Sequence, residues 1–150
     1  MSDHTRVYRS SFLVCWRWTT GLCAGIALFF HAIALAQGIP QSVPSTITLA
    51  LGMSLAMAVA VICFPVYVSA EGLPCYNFWG AYSIAPWSTI SVVCPTNLFG
   101  LRYLRVRSTA CSSELWVPLY LSKMSSFVAS VREFAGETNP LVLSLAQQVQ

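Results

Sequence analysis

Few side chains in this sequence are able to do chemistry, and their spacing argues against most of it. The cysteines are Cys15, Cys23, Cys63, Cys75, Cys94 and Cys111, and the only histidines are His4 and His31. No two cysteines form CxxC, so the ligand spacing that zinc requires is missing. The acids are Asp3, Glu71, Glu114, Glu133 and Glu137, and no two are placed by pattern for general acid–base work. The sequence contains no GxSxG, no phosphate-binding loop and no dinucleotide glycine pattern. These absences predict a chain that is not an enzyme and carries no metal or cofactor.

Basic and aromatic residues offer more. Arg102, Arg105 and Arg107 lie on one predicted strand, where Leu104 and Val106 alternate with Tyr103, Arg105 and Arg107. Arg105, Arg107 and Tyr103 therefore share the wetter face; with Arg102 they are candidate contacts for anionic lipid headgroups or a protein partner, and Arg6, Arg9 and Arg17 at the membrane edge are further candidates for the headgroups. The plainer alternative is a solvated strand edge, where arginine discourages pairing with other chains. A net charge of +3 without a recognised RNA-binding motif argues against nucleic acid. Tyr76, Phe78, Trp79, Tyr82, Trp87, Phe99, Tyr103, Trp116 and Tyr120 concentrate in the second half. Trp87 and Phe78 are expected in a core, and Trp79-Gly80 beside Tyr82 as an exposed partner-binding patch.

The elements that must position these residues follow from composition. The 150 residues are 56% hydrophobic and only 9% charged, with a mean hydropathy of +0.64, whereas soluble domains carry about 25% charged residues. Residues 18–70 contain no Asp, Glu, Lys or Arg. Two apolar runs lie there, 18–36 (WTTGLCAGIALFFHAIALA) and 45–64 (STITLALGMSLAMAVAVICF). A helix over 18–36 rises about 28 Å, close to the roughly 30 Å hydrocarbon core of a bilayer. Residues 37–44 (QGIPQSVP) read as a tight external turn, and Pro65 as the stop of the second helix. Arg6, Arg9 and Arg17 precede the first run, five basic residues follow the second, and the turn has none. The positive-inside rule then places both termini in the cytoplasm. A cleavable signal peptide ending near Ala36 is the competing reading, and the second run would still anchor the chain.

Small residues recur at helix-contact spacing in both runs. Gly21 and Gly25 form a GxxxG pair, and Thr48, Gly52, Ala56 and Ala60 step along one face. They pack either the two spans into a hairpin or two copies into a homodimer. His31, near the outer interface, is expected neutral and hydrogen-bonded across the hairpin. In a cytoplasmic protein the cysteines are expected reduced.

From Val66 onward, short segments rich in β-formers alternate with turn residues at 66–70, 73–80, 81–87, 88–94, 98–108 and 114–120. An amphipathic helix over 123–135 follows, with Ser122 as its N-cap and Gly136 just past its end. Met124, Phe127, Val128, Val131 and Phe134 form its apolar face, with Lys123, Ser126, Ser130, Arg132 and Glu133 mostly opposite. The fold class is thus α+β: a transmembrane hairpin (18–64) after a cytoplasmic segment (1–17), then an antiparallel β module closed by a helix (65–136). A tail (137–150), read as either a short helix after Pro140 or a loose end and expected to be the least ordered part, completes the chain.

This arrangement resembles small bacterial membrane proteins of the YcxB-like kind and the bacterial pleckstrin-homology-like (PH-like) domains found beside paired spans. Val68–Gly72 just after the second run, Ala85-Pro86-Trp87-Ser88-Thr89-Ile90, Leu115-Trp116-Val117-Pro118-Leu119 and the helix ending EFAG carry the resemblance. It covers nearly the whole chain, through hydrophobic and turn positions and no catalytic signature. It implies a β module tethered to the bacterial inner membrane and transfers no active site. The expectation is an interaction module, or else an accessory subunit of a transport or channel assembly that packs through Gly21, Gly25, Gly52 and Ala56.

Overall fold

The structure, a computed structural model, describes residues 5–40, 42–98 and 100–148. Asp3, His4, Gln41 and Phe99 lie outside the described residues. The chain divides into two units: a helical hairpin of Ser11–Cys63, and a mixed module formed by the residues before and after it.

In the hairpin, α1 (Phe12–Ala36) and α2 (Val43–Ile62) are both long and apolar enough to cross a membrane. Helix α1 starts six residues earlier than its charge-free run suggests, because nothing between Phe12 and Arg17 breaks a helix. Helix α2 stops at Ile62, since a proline at 65 disfavours the helical conformation in the residue before it. The seam between the helices is small and partly polar: Cys15, Thr19 and Cys23 on α1, Ser54 and Ala58 on α2 are buried. Thr19 Oγ1 donates to the Ser54 carbonyl at 3.0 Å, and Thr20 Oγ1 shares a hydrogen bond with Ser54 Oγ at 3.1 Å. Nearer the turn, Thr46 Oγ1 and His31 Nδ1 meet at 3.3 Å, the cross-hairpin bond expected for His31.

Gly21, Gly25, Gly52 and Ala56 are not in this seam. All four are exposed, and a Cβ added at any of the three glycines would meet nothing within 4 Å. The reason is angular. Gly21 and Gly25 each follow a seam residue by two positions, about 200° of helical rotation, and Gly52 and Ala56 precede theirs by the same amount. Hydroxyls that would otherwise lack partners claim the contact face, and the glycines turn outward.

The module begins before the hairpin. Strand β1 (Arg6–Tyr8) pairs antiparallel with β2 (Val66–Val68), Tyr8 opposite Val66, and Ser10 bridges to Leu121. The N-terminal segment, expected to stand apart, is thus part of the module's sheet structure. Tyr8 is buried: its ring meets Phe127 edge-on at 5.2 Å, and its hydroxyl bonds Ser130 Oγ at 2.6 Å and the Ser126 carbonyl at 3.1 Å. Ser130, expected on the wet face of its helix, is buried because Tyr8 and Arg6 supply its partners.

Strands β3 (Gly72–Tyr76) and β4 (Tyr82–Pro86) form a hairpin. After a single 3-10 turn at Trp87–Thr89, β5 (Ile90–Leu98), β6 (Leu101–Ser108) and β7 (Leu115–Pro118) make a three-stranded meander. Pro95, expected in a turn, lies inside β5. That strand is the edge of its sheet, so the missing N–H breaks no ladder bond on the free side. Gly72 is required by packing, because a Cβ there would meet the Ala85 carbonyl oxygen at 2.3 Å.

Two helices cover the sheets. Helix α3 (Met124–Ala135) buries Phe127 and Val131, and α4 (Pro140–Gln148) buries Leu141, Val142 and Leu145. The tail thus takes the first of its two expected forms, a short helix, and packs on the core. Asn139 starts it, accepting the Leu141 N–H at 2.9 Å while its amide donates to the Trp87 carbonyl at 3.0 Å. Ser122 does not cap α3. Its N–H and hydroxyl both donate to the Arg9 carbonyl, at 3.0 and 3.2 Å. These helices and the inner faces of the strands share one core that includes Val68, Leu73, Leu104, Val106, Leu115, Val117 and Trp87.

Phe127 sits at the centre of this core with no exposed surface. Phe127→Ala is expected to lower unfolding stability by about 3–5 kcal/mol, read by denaturant titration of the detergent-solubilised protein.

Candidate functional site

The outer face of the β5–β6–β7 sheet follows from alternation. Leu104 and Val106 of β6 point into the core, leaving Tyr103, Arg105 and Arg107 outside. Across the register Arg105 stands opposite Trp116, and Tyr103 opposite Pro118. Tyr103 packs edge-on against Trp116 at 5.5 Å and against Tyr120 at 5.4 Å, and the two tyrosine hydroxyls bond at 2.5 Å. Trp116 in turn meets Phe78 at 5.2 Å, and Phe78 meets Trp79 at 5.2 Å. One continuous aromatic surface therefore runs from Tyr120 to Trp79 across two sheets.

The loop that carries Phe78 and Trp79 is held by hydrogen bonds of Asn77. Asn77 Oδ1 accepts the N–H groups of Trp79 at 3.0 Å and Ala81 at 2.8 Å, an Asx turn. Its amide nitrogen donates to Ser113 Oγ at 3.1 Å, and Asn77 also bridges Leu115 of β7. Gly80 turns the chain with a φ of +78°, a conformation that side chains resist. Its open face rests near the Phe64 ring, and Phe64 follows Cys63, the C-cap of α2. With Asn77 fixed on both sides, the two following rings project outward. Trp79 is 86% exposed and Phe78 52%.

Phe78, expected in the core, is thus a surface residue. Strand β3 ends at Tyr76, and the Asx turn then reverses the chain before Phe78 can turn inward. Trp87 is buried as expected, with its indole N–H on the Ser69 carbonyl at 2.9 Å. Beside the loop, Tyr76 contacts Phe64 at 5.1 Å and Tyr82 at 5.3 Å, and Tyr82 contacts Tyr67 at 6.2 Å. Partial burial, with Tyr67, Tyr76 and Cys75 nearby, pushes the Tyr82 phenol up.

The three arginines are not one cluster. Arg107 pairs with Glu114 at 2.6 Å and Arg105 approaches the same carboxylate at 3.5 Å. Arg102 lies on the opposite strand parity and donates to Gln148 Oε1 at the end of α4. One carboxylate thus offsets half of the Arg105–Arg107 charge, and each exposed pair is worth less than about 1 kcal/mol. Arg105 Nε is buried without an acceptor, alone in this among the described residues. A guanidinium next to Trp116 and Tyr103 on a preorganised surface has the composition of a protein-binding hot spot.

Of the candidates that the sequence offers, Trp79, Tyr103, Arg105 and Arg107 lie on or beside this surface and Arg102 does not; the linking residues Phe78, Trp116 and Asn77 were not among them. The pattern Asn77-x-x-Gly80 carried the signal, since Asx turns favour asparagine followed shortly by glycine. The described residues contain no group of three or more His, Cys, Asp or Glu able to hold a metal, and the six cysteines are free thiols. Comparison with protein-family models, curated proteins and solved structures gives no match.

Cys75 lies beneath this surface, its thiol donating to the Trp116 carbonyl at 3.4 Å. Burial pushes it up to about 12 from 9.0. The unfolded chain loses this proton first, so stability is expected to fall as pH rises from about 9 toward 12. In Cys75→Ser, thermal melting across that window should show a shallower pH dependence. Maleimide at pH 8 should label the half-buried Cys94 and Cys111 well before Cys75.

Proposed function

We propose that this chain is a non-enzymatic interaction module anchored in a membrane by its helical hairpin, binding a protein partner through the Trp79–Trp116–Tyr103 surface. The observation that supports anchoring is the exposure of the hairpin's apolar side chains. Leu28, Phe29, Phe30 and Leu49 are each more than 60% exposed, an arrangement that water penalises and lipid does not. Within the seam, hydroxyl-to-carbonyl and hydroxyl-to-hydroxyl bonds satisfy the polar groups internally, as a hydrocarbon surrounding demands.

Topology supports one further step. Residues on both flanks of the hairpin belong to one folded unit through the β1–β2 pairing. Both ends of the hairpin therefore share one side of any membrane that the helices cross. That side carries Arg6 and Arg9 together with Arg102, Arg105, Arg107, Lys123 and Arg132, while the turn at 37–44 has no basic residue. The positive-inside rule makes that side the cytoplasm, which for a bacterial protein is the inner face of the plasma membrane.

At the sheet surface a protein partner is favoured over anionic lipid, because Glu114 and Gln148 already occupy the three arginines. The non-enzymatic reading is supported by the acids: Glu114, Glu133 and Glu137 are each held in an ion pair with arginine. A second reading, an accessory subunit of a larger membrane assembly, draws on the outward-facing Gly21, Gly25, Gly52 and Ala56. These leave both helices open to close approach by another helix.

A C-terminal tag should resist protease in spheroplasts and be cleaved in inverted vesicles; the opposite pattern overturns the orientation. Trp79→Ala should leave the melting temperature unchanged while abolishing cross-links formed in cells by a photoreactive residue at position 82. Leucine at Gly21, Gly25 and Gly52 should leave those cross-links intact, and their loss would favour the second reading instead.

A further inference from the structure

Arg9 and Lys123 line a groove of about 320 Å³ in the module, together with Val7, Tyr8 and Ser122. They are distant in sequence but held side by side through the backbone. The Ser122 N–H and hydroxyl both donate to the Arg9 carbonyl, and Ser10 bridges to Leu121. Their charges differ from the others of the module in one respect. Arg6, Arg105, Arg107 and Arg132 have carboxylate partners, and Arg102 bonds Gln148. Neither Arg9 nor Lys123 forms an ion pair among the described residues. Two exposed cations on one groove repel each other, and an anion between them would remove that cost.

Chain position indicates where the anion comes from. Arg9 precedes the first residue of α1 by three positions, and the charge-free run begins at Trp18. The six helical residues between correspond to about 9 Å, comparable to the layer of roughly 5–8 Å that headgroups add on each side of the hydrocarbon. The groove's Arg9 wall is thereby tethered at the level of lipid phosphates. We infer that the groove binds the phosphate of an anionic phospholipid, with the Arg9 guanidinium as a two-pronged donor and the Lys123 ammonium as a second charge. This inference rests on the membrane anchoring proposed above and narrows lipid recognition, among the basic residues, to Arg9 and Lys123.

The test is native mass spectrometry of the full chain, released from neutral detergent after incubation with phosphatidylglycerol or with phosphatidylcholine of the same acyl chains. Phosphatidylglycerol adducts are expected on the wild type, on R105Q/R107Q and on the charge-conserving R9K/K123R. R9Q/K123Q should bind about 30-fold more weakly, at about 1 kcal/mol per basic residue. Equal adducts on R9Q/K123Q, or equal adducts from the two lipids, would overturn the inference. Displacement of the lipid by inorganic phosphate at similar concentration would overturn the lipid as source. Should R9Q/K123Q melt below the wild type, R9Q and K123Q singly carry the comparison. Alkaline carbonate extraction separates the two levels. Release of the wild-type chain from membranes sinks the anchoring itself, whereas retention with unchanged R9Q/K123Q binding sinks this inference alone.

Discussion

Tyr8 joins two parts of the chain that the hairpin would otherwise separate. Its backbone pairs with Val66, its ring packs on Phe127, and its hydroxyl bonds Ser130 and the Ser126 carbonyl. Residues on both flanks of the hairpin are thereby committed to one core. A buried tyrosine with a satisfied hydroxyl combines a large apolar contact with directional bonds, and neither is easily replaced. The Arg9 carbonyl that binds Ser122 and the Ser10–Leu121 bridge extend the same attachment. Without it the hairpin would be a leader to a separate domain; with it, the hairpin is an insertion into one.

The two units solve the problem of burying polar groups in opposite ways. The module follows ordinary globular logic, with Leu104, Val106, Leu115, Val117 and Phe127 inside and Arg6, Arg105, Arg107 and Arg132 paired with carboxylates on its surface. The hairpin has its small and polar residues inside and its leucines and phenylalanines outside. Thr19 and Ser54 sit at the seam because a hydroxyl in an apolar surrounding must find an acceptor, and the facing helix supplies one. The glycines are then free to face outward.

The module's exposed aromatic surface is a consequence of one side chain. Asn77 is bonded to Trp79, Ala81 and Ser113, so the two following rings have no route into the core. A tryptophan on a loop held by such hydrogen bonds has less conformational freedom to lose on binding, which suits the proposed contact surface. Glu114 offsets half of the Arg105–Arg107 charge beside it. On the proposed reading, the remaining charge would orient a protein partner more than it would hold an anionic plane.

Hydrophobic periodicity and the gap in charge determined much from the sequence alone: two long apolar helices, the strands from β2 to β7, the helix ending at Gly136, and the burial of Trp87. These depend on local pattern, and pattern is local information. Tertiary structure alone decided the rest. Strand β1 is three residues long, too short for any period, and exists because β2 offers an edge. The tail became α4 because the core had room for Leu141 and Leu145. Gly21 and Gly52 carry a contact motif, yet hydrogen bonding at Thr19 and Ser54 rotated them out of the seam. The grouping of arginines on β6 was legible, but the ion pairs of Arg105 and Arg107 with Glu114 and the hydrogen bond of Arg102 to Gln148 were not. Such a pairing joins strand to strand or strand to helix, and no spacing along a single segment encodes it.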